Sequence, residues 1–340
     1  MDKTMARNAI KKTNTYPILV TGAAGFIGYH VCEALLARGE VVIGFDALTS
    51  YNDPKLKQKR LTFLKKHKNF SFIKGPLESK NVFAELVAKK KPRAIIHLAA
   101  QAGVRYSQEN PRSYIDSNVM GTLNVFEAAR LHKTPVVYAS SSSVYGEREG
   151  IFKESDKTEN PVSLYAATKK TTEILAATYS SLYGLPLTGL RFFTVYGPWM
   201  RTDLAMFKFA RLLLLGKKIP LFAQGKGKRS YTHVSLVVQG TIAAMDALKS
   251  GHTIYNLGDE RTFETKEMLS ILSRALGATP HVQLLPHQKG DVMLTRASGT
   301  KAKKELGVSA RVPLAQGIEE FAEWFLENKK FLLALSDMHS

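Results

Sequence analysis

The chain has 340 residues, of which 44% are hydrophobic, so it can bury a large core and is too apolar for global disorder. Its formal net charge of +19 favours an anionic ligand. Nucleic-acid binding is an alternative, but no zinc-ligand spacing or recognition-helix motif supports it, and we predict neither a nucleic-acid partner nor a metal site. The single cysteine, Cys32, excludes an internal disulfide and favours a reducing compartment. Without a run of about 18 apolar residues or a signal-peptide pattern, we expect a cytoplasmic protein with no membrane insertion.

Residues 17–28 predict a strand, a glycine-rich turn and the start of a helix. The apolar run 17–21 leads into the sequence GAAGFIG, and an amphipathic segment then continues to residue 38. Glycines allow close backbone approach to a phosphate, and the helix N-terminus supplies free N–H groups and a positive dipole. We therefore predict a dinucleotide site at this turn, formed by Gly22, Gly25, Phe26, Ile27 and Gly28.

A second apolar run, residues 41–45, ends at Asp46, which lies 18 residues after Gly28. A carboxylate at this point accepts hydrogen bonds from ribose hydroxyls and repels a 2′-phosphate, so NAD is favoured over NADP. A solvated aspartate at a strand end is the alternative interpretation.

Strand and helix patterns continue to alternate, which predicts an α/β fold with a doubly wound parallel sheet of the Rossmann type. The predicted strands are 70–73, 94–98, 135–139 and 187–192, and the predicted helices are 54–68, 78–90, 110–131 and 162–183. Ligands of such sheets bind outside the carboxyl ends of the strands. The glycine turn, Asp46, Ala99, Ser141 and Thr194 all fall at those ends.

Beyond residue 198 the pattern loosens, with predicted helices at 206–215, 234–248, 266–276 and 314–327 and a strand at 253–257. We predict that residues 17–198 form the NAD-binding domain and that 231–257 return to it. Residues 199–230 and 258–335 then form a smaller α/β domain for the substrate. Residues 1–16 are polar and basic and are expected to form a flexible tail.

Tyr165 and Lys169 are four residues apart on one predicted helix and therefore share a face. Ser141 stands at the end of an apolar run about two dozen residues earlier. A lysine cation beside a phenol favours the phenolate, so we expect Lys169 to lower the pKa of Tyr165 from about 10. Tyr165 is thereby a candidate general base for a sugar or alcohol hydroxyl.

With these residues the chain resembles the extended short-chain dehydrogenase/reductase family, and within it the UDP-glucuronate 4-epimerases. The resemblance rests on residues 97–107 (HLAAQAGVRYS), 161–170 (PVSLYAATKK), 189–199 (GLRFFTVYGPW), 46–61 and 288–292. It implies tightly held NAD and reversible inversion at C4 of a UDP-linked hexuronic acid through a 4-keto sugar. Tyr165 would remove the C4 hydroxyl proton, Ser141 would hydrogen-bond the same oxygen, and Lys169 would hold the ribose.

The resemblance also assigns binding residues. Cofactor contacts are implied for Leu98, Ala99, Ala100, Asn118, Tyr165 and Lys169. Substrate contacts are implied for Arg105, Ser141, Ser142, Ser143, Tyr165, Thr194, Arg201, Arg229 and Asp291. Of these, Ser142, Ser143, Thr194 and Arg201 would hold the sugar carboxylate, and Arg229 and Asp291 would contact the UDP. Relatives pair through the helices at about 110–131 and 162–183, so a homodimer with a four-helix bundle is expected.

Two features decide between related enzymes. Decarboxylating and dehydrating relatives carry a carboxylate at the position of Ser143, and dehydratases carry another at Ser142, which favours an epimerase here. The chain lacks the acids that relatives carry at 75–77 and in the segment 230–236, so a shifted substrate and weaker activity are hypotheses. The alternatives are a 4-epimerase of a neutral or N-acetylated UDP-hexose and a non-catalytic NAD-binding scaffold.

Overall fold

The structure, a computed structural model, describes residues 16–51, 53–288, 292–309 and 311–336. Of the expected N-terminal tail it therefore describes Tyr16 alone. The strands in chain order are β1 (Ile18–Thr21), β2 (Val42–Asp46), β3 (Phe70–Lys74), β4 (Ala94–His97), β5 (Val136–Ser141), β6 (Leu187–Phe192), β7 (Thr194–Tyr196), β8 (Lys218–Phe222), β9 (Lys228–Arg229), β10 (Tyr231–His233), β11 (His252–Leu257), β12 (Phe263–Glu264), β13 (His281–Leu285) and β14 (Leu294–Thr295).

The α-helices connect these strands and cover both faces of the largest sheet. In chain order they are α1 (Phe26–Ala37), α2 (Pro54–Leu64), α3 (Lys80–Lys90), α4 (Tyr106–Glu109), α5 (Pro111–Tyr114), α6 (Gly121–His132), α7 (Leu164–Tyr183), α8 (Ala205–Leu214), α9 (Val234–Asp246), α10 (Thr265–Ala275), α11 (Thr300–Leu306), α12 (Leu314–Glu327) and α13 (Lys329–Leu333). Within the described ranges, no helix is both long enough and apolar enough to cross a membrane.

Seven strands form one parallel sheet in the order β3-β2-β1-β4-β5-β6-β11. Successive side chains of a strand point to opposite faces of the sheet, so each strand contributes side chains to two hydrophobic cores. In β1, Ile18 and Val20 belong to the core beneath α1 and α9, whereas Leu19 belongs to the core beneath α3, α6 and α7. Because both faces are covered, the strands are nearly continuous apolar runs. The predicted doubly wound parallel sheet is confirmed.

The predicted helix over residues 110–131 is present, but it is not α-helical throughout. The structure has α5, then a π-helical turn at Ile115–Met120, and then α6. The turn carries Asn118, whose side-chain oxygen accepts from the Gln101 backbone N–H at 2.8 Å. Its amide group donates to the Gln101 carbonyl oxygen and to Thr168 Oγ1, both at 3.0 Å. These contacts fix the loop after β4 against α7, and π-helical turns often occur at functional sites.

The C-terminal part contains short strands that the sequence pattern did not reveal. β13 pairs in parallel with β8, and β9 lies between β12 and β14 in a three-stranded sheet. Helices α8, α10 and α12 pack around them through buried residues such as Phe207, Leu272 and Phe325. β11 returns to the edge of the large sheet beside β6. The boundaries of the two predicted domains stay a prediction.

Candidate active site

A cavity of about 380 Å³ opens at the carboxyl ends of β1, β2, β4, β5 and β6. Most of the residues predicted for the site meet in its wall. They are Gly22, Gly25, Phe26, Ile27, Gly28, Asp46, Leu98, Ala99, Ala100, Ser141, Ser142, Ser143, Tyr165, Lys169, Thr194, Arg201 and Arg229. A parallel sheet with crossover helices brings these distant segments together at one edge.

Two predicted residues, Asn118 and Arg105, are outside the cavity wall, and the structure does not describe a third. Asn118 is buried behind the cavity wall, where it holds Gln101 and Thr168 as described above. Arg105 is exposed, and its guanidinium lies over the ring of Phe222 at 4.8 Å. Asp291 lies outside the described residues. Ligand contacts of these three residues therefore stay predictions.

The glycine turn has the geometry that a bound pyrophosphate requires. Gly22 has φ +70°, and a Cβ there would lie 2.7 Å from the backbone nitrogen of Ala99. A Cβ on Gly28 would collide with the carbonyl oxygen of Gly22. Gly25 is the N-cap residue of α1 without a side-chain cap, and the first turn of α1 carries no acid. The free N–H groups of the helix start thus remain available to an anion, so the residues present fit NAD.

Asp46 is held in place at the end of β2. Its carboxylate accepts from the backbone N–H of Ala24 at 3.2 Å and from that of Leu48 at 2.7 Å. Lys57 Nζ lies 3.6 Å from Asp46 Oδ1, and Arg60 also lines the cavity. Burial lowers the pKa of Arg60 to about 9, although Asp46 opposes that shift. Sequence analysis missed these two cations, which stand three residues apart on α2 and so share a face.

Ser143, Ser141 and Tyr165 form a chain of hydrogen bonds. Both the backbone N–H and the hydroxyl of Ser143 donate to Ser141 Oγ, at 3.2 and 2.9 Å. The Ser141 side chain is in turn hydrogen-bonded to Tyr165. Because Ser141 Oγ already accepts twice, its own proton is available to the tyrosine oxygen. This direction of donation favours the phenolate over the phenol.

The expectation that Lys169 lowers the pKa of Tyr165 is wrong for this geometry. Burial raises the pKa of Tyr165, and the groups that oppose burial are Ser141 and the Arg201 guanidinium. Lys169 Nζ instead donates to the carbonyl oxygen of Ala139 at 2.9 Å. Burial lowers the pKa of Lys169 itself to about 8.

The position of Tyr165 in its helix gives the phenolate further support. Ser163 caps α7 by accepting from the backbone N–H of Ala166, at 3.1 Å, so the helix begins at Leu164. Tyr165 therefore lies in the first turn of α7, where the helix dipole favours negative charge. The cap, the dipole and the serine chain all act on the one side chain that is predicted to take a proton.

Arg201 enters the cavity wall as one member of an ion pair. Its Nε and Nη2 donate to the two oxygens of Asp203, at 2.9 and 2.6 Å. Burial would lower the pKa of the Arg201 guanidinium, but Asp203 more than compensates and holds the pKa above its usual range. Tyr51 Oη donates to Asp203 Oδ2 at 2.9 Å. Arg201 alone was predicted from the sequence, because Tyr51, which holds Asp203, is 152 residues distant from that aspartate.

The charge of the wall favours an anionic ligand. Among the described lining residues, five are cations and two are acids: Lys57, Arg60, Lys169, Arg201 and Arg229 against Asp46 and Glu78. A cavity with low-dielectric walls concentrates this field and attracts anions. Glu78 was missed because the sequence has Gly75-Pro76-Leu77 where an acid was expected, and Glu78 follows directly.

The segment 230–236, where the resemblance led us to expect acids, contains a paired strand. Tyr231–His233 forms β10 and pairs in parallel with β7. The buried hydroxyl of Ser230 donates to the carbonyl oxygen of Asp259, and Thr232 Oγ1 donates to the carbonyl oxygen of Ser230 at 3.1 Å. The hydroxyls of Ser230 and Thr232 are therefore satisfied, and Arg229 lies in the cavity wall.

Comparison with known proteins agrees with this geometry. The NAD dependent epimerase/dehydratase family matches residues 18–258. An uncharacterized protein of Methanocaldococcus jannaschii is 45% identical over 94% of this chain and 98% of its own length. UDP-glucuronate 4-epimerase 4 of Arabidopsis thaliana is 40% identical over 95% of this chain and 78% of its own length.

A solved structure agrees as well. UDP-glucuronic acid 4-epimerase from Bacillus cereus, in complex with UDP-glucuronic acid and NAD, is similar with a TM-score of 0.87 and 31% identity, and covers 92% of this chain and 99% of its own. The fold and the site define a nucleotide-sugar enzyme with a Rossmann cofactor half. The chain belongs to the NAD dependent epimerase/dehydratase family, which confirms the resemblance found in the sequence.

Proposed function

We propose that this protein is an NAD-dependent UDP-glucuronate 4-epimerase, which interconverts UDP-glucuronate and UDP-galacturonate. One observation carries the proposal: the Ser143–Ser141–Tyr165 hydrogen-bond chain and Arg201 share a single cavity with the glycine turn. The chain and tyrosine supply a base for a sugar hydroxyl, and the arginine supplies a partner for a carboxylate. Two of the proteins named above, the Arabidopsis thaliana epimerase and the Bacillus cereus epimerase, act on or bind a nucleotide-linked uronic acid.

The proposed reaction begins with proton removal from the C4 hydroxyl of the sugar. NAD held at the glycine turn would supply the acceptor for hydride from C4 and the donor that returns it to the other face of the ring. Tyr165 takes the hydroxyl proton and later returns it, while Ser141 donates to the tyrosine oxygen. Lys169, four residues along the same helix face, reaches the cofactor side of the cavity.

The carboxylate of the sugar must be held still during this reaction. A 4-keto uronic acid is a β-keto acid and loses CO₂ when the carboxyl bond aligns with the ketone π system. Arg201 restrains that carboxylate by charge-assisted hydrogen bonds, and the hydroxyls of Ser142 and Thr194 fix its rotation, whereas the Ser143 hydroxyl already donates to Ser141 Oγ. No acid stands at Ser142 or Ser143, so the group that a dehydratase needs at that point is absent from this hydroxyl cluster.

A second candidate, 4-epimerisation of a neutral or N-acetylated UDP-hexose, is favoured by the Arg201–Asp203 pair, because Asp203 cancels the charge of the arginine. Incubation of the purified protein with UDP-glucuronate, without added NAD, followed by NMR of the sugar, separates the two. UDP-galacturonate is the expected product. Turnover restricted to UDP-glucose or its N-acetylated analogue would replace the uronate proposal with the second candidate. No turnover of any of these sugars would favour the NAD-binding scaffold.

We propose that the protein is a cytoplasmic homodimer. Helices α6 and α7 expose large apolar side chains: Leu131 is 62% exposed, Ile174 is 55% exposed and Leu182 is 67% exposed. Exposed apolar side chains on adjacent helices are typical of a helix–helix interface, and two copies would form a four-helix bundle. Sedimentation of the Ile174→Glu, Leu182→Glu variant should show monomer where the wild type shows dimer. A monomeric wild type would contradict this assembly.

A further inference from the structure

The loop after β7 and the loop after β2 meet at Asp203. Arg201 and Asp203 lie between β7 and α8, and Tyr51 lies five residues after Asp46. Arg201 and Tyr51 are in the cavity wall, whereas Asp203 is not. Asp203 therefore reaches a bound sugar only through the two side chains that it holds.

The hydrogen bonds of Asp203 leave the arginine with one fixed orientation. The Nε–Nη2 edge of Arg201 is used in a bidentate contact, and Nη2 also donates to the carbonyl oxygen of Ala102 at 3.4 Å. Among the residues that the structure describes, none accepts from Arg201 Nη1. A guanidinium is planar, so holding one edge sets the direction of the N–H groups that remain.

Asp203 stays ionised in this arrangement. Burial would raise the pKa of its carboxyl, but Arg201 and the Tyr51 hydroxyl hold that pKa below its usual range. The side chain of Asp203 is 16% exposed and that of Arg201 is 23% exposed, so water screens the pair only in part. The pair is close to neutral as a whole, and Arg201 acts through the direction of its donors more than through long-range attraction.

We propose that Asp203, supported by Tyr51, is a positioning residue that gives this site its preference for a carboxylated sugar by fixing Arg201. The inference rests on the proposed uronate activity and adds the source of its selectivity. It also ties selectivity to the loop that follows β2, because Tyr51 belongs to that loop.

The test compares the kcat and KM values of Asp203→Asn with those of the wild type, on UDP-glucuronate and on UDP-glucose. We expect the ratio of kcat/KM for the uronate to that for the hexose to fall about tenfold or more, since a charge-assisted contact is lost. Binding of UDP and the content of bound NAD should not change. Tyr51→Phe, which keeps the ion pair, should lower the ratio by about threefold.

Asp259→Asn is the matched control. Asp259 holds Arg261 by the same bidentate contact, at 3.1 and 2.7 Å and two residues apart, but neither residue lines the cavity. The Asp259→Asn substitution removes a similar ion pair and should leave the ratio of kcat/KM for the uronate to that for the hexose unchanged. A double-mutant cycle with Arg201→Ala adds a second criterion: without the arginine, Asp203→Asn should have no further effect on that ratio.

The outcomes separate the two proposals. A wild type inactive on UDP-glucuronate would overturn the uronate function and this inference together. An active wild type whose ratio is unchanged in Asp203→Asn and Tyr51→Phe would overturn this inference alone. A lower KM for the uronate in Asp203→Asn would also overturn it, because the acid would then act as a repelling charge. If Asp203→Asn does not fold, the kcat/KM ratio of Tyr51→Phe on the two sugars tests the inference instead.

Discussion

The two ends of the cavity offer a ligand different parts of the chain. At the cofactor end, backbone N–H groups and the space beside Gly22 and Gly28 form the site, and a side chain there would be an obstruction. At the sugar end, hydroxyls and a guanidinium in hydrogen-bond chains form the site. Changes at the cofactor end should therefore abolish binding, whereas changes at the sugar end should alter rate and selectivity in steps.

The largest effect is expected for Gly28→Ala. The new methyl group would collide with the Gly22 carbonyl oxygen, which is backbone and cannot rotate away. We expect the purified variant to contain no NAD and to have no measurable turnover, and absorbance of the denatured protein's extract measures the cofactor. Gly299→Ala is the control, since its Cβ would meet nothing nearer than 3.6 Å. A Gly28→Ala protein with a full complement of NAD would contradict the backbone account.

Tyr165→Phe should have the next largest effect. Removal of the base should slow turnover by about a thousandfold. The backbone cradle is untouched, so NAD content should equal that of the wild type. Steady-state turnover together with cofactor content measures both. Loss of NAD along with activity would show that the two ends of the cavity are not independent.

Lys169 also lines the cavity. Its lowered pKa predicts that the free energy of unfolding depends on pH. Burial lowers its pKa from 10.5 to about 8, so the unfolded chain binds this proton more tightly than the folded chain does. The free energy of unfolding should therefore rise by about 3 kcal/mol between pH 8 and pH 10.5, with no contribution to the slope below pH 8. Denaturant unfolding of wild type and Lys169→Met measures the difference. An equal pH slope in both proteins would contradict a buried, depressed lysine.

Ser143→Ala should have the smallest effect. It removes one of the two donations to Ser141 Oγ and keeps the backbone donation, so the Tyr165 phenolate loses part of its support. The pKa of Tyr165 should rise, and the pH at which turnover reaches half its maximum should move upward by up to about one unit. The pH–rate profile measures this shift. A profile that moves to lower pH would reverse the assigned direction of the hydrogen-bond chain.

The elements that the sequence predicted well are those that local sequence patterns determine, and the elements it missed depend on contacts between distant residues. The glycine turn, β6 and α12 were predicted closely because apolar periodicity and local turn chemistry determine them. β13 was missed because four of its five residues are exposed and its pattern does not alternate, and β9, β12 and β14 have only two residues each. The π-helical turn depends on contacts of Asn118 with a distant loop, which no local pattern reveals.

In the site, the candidate functional residues could be predicted from the sequence, but their hydrogen-bond partners could not. Tyr165 and Lys169 follow from spacing on one helix, and Ser141 follows from the end of β5. The direction of the Ser143 donation, the Lys169 contact with Ala139 and the Asp203 contact with Tyr51 depend on packing between distant segments. Those partnerships set the pKa of the base and the orientation of the arginine, so they decide the chemistry.

The central claim is that the C4 hydrogen of a uronic acid sugar leaves and returns within one closed site. The most direct test is conversion of UDP-glucuronate carrying deuterium at C4, in ordinary water and without added NAD, followed by mass spectrometry and NMR of the product. We predict UDP-galacturonate that keeps the deuterium at C4 and the carboxyl group. Deuterium lost to water, or a product without its carboxyl group, would contradict the account.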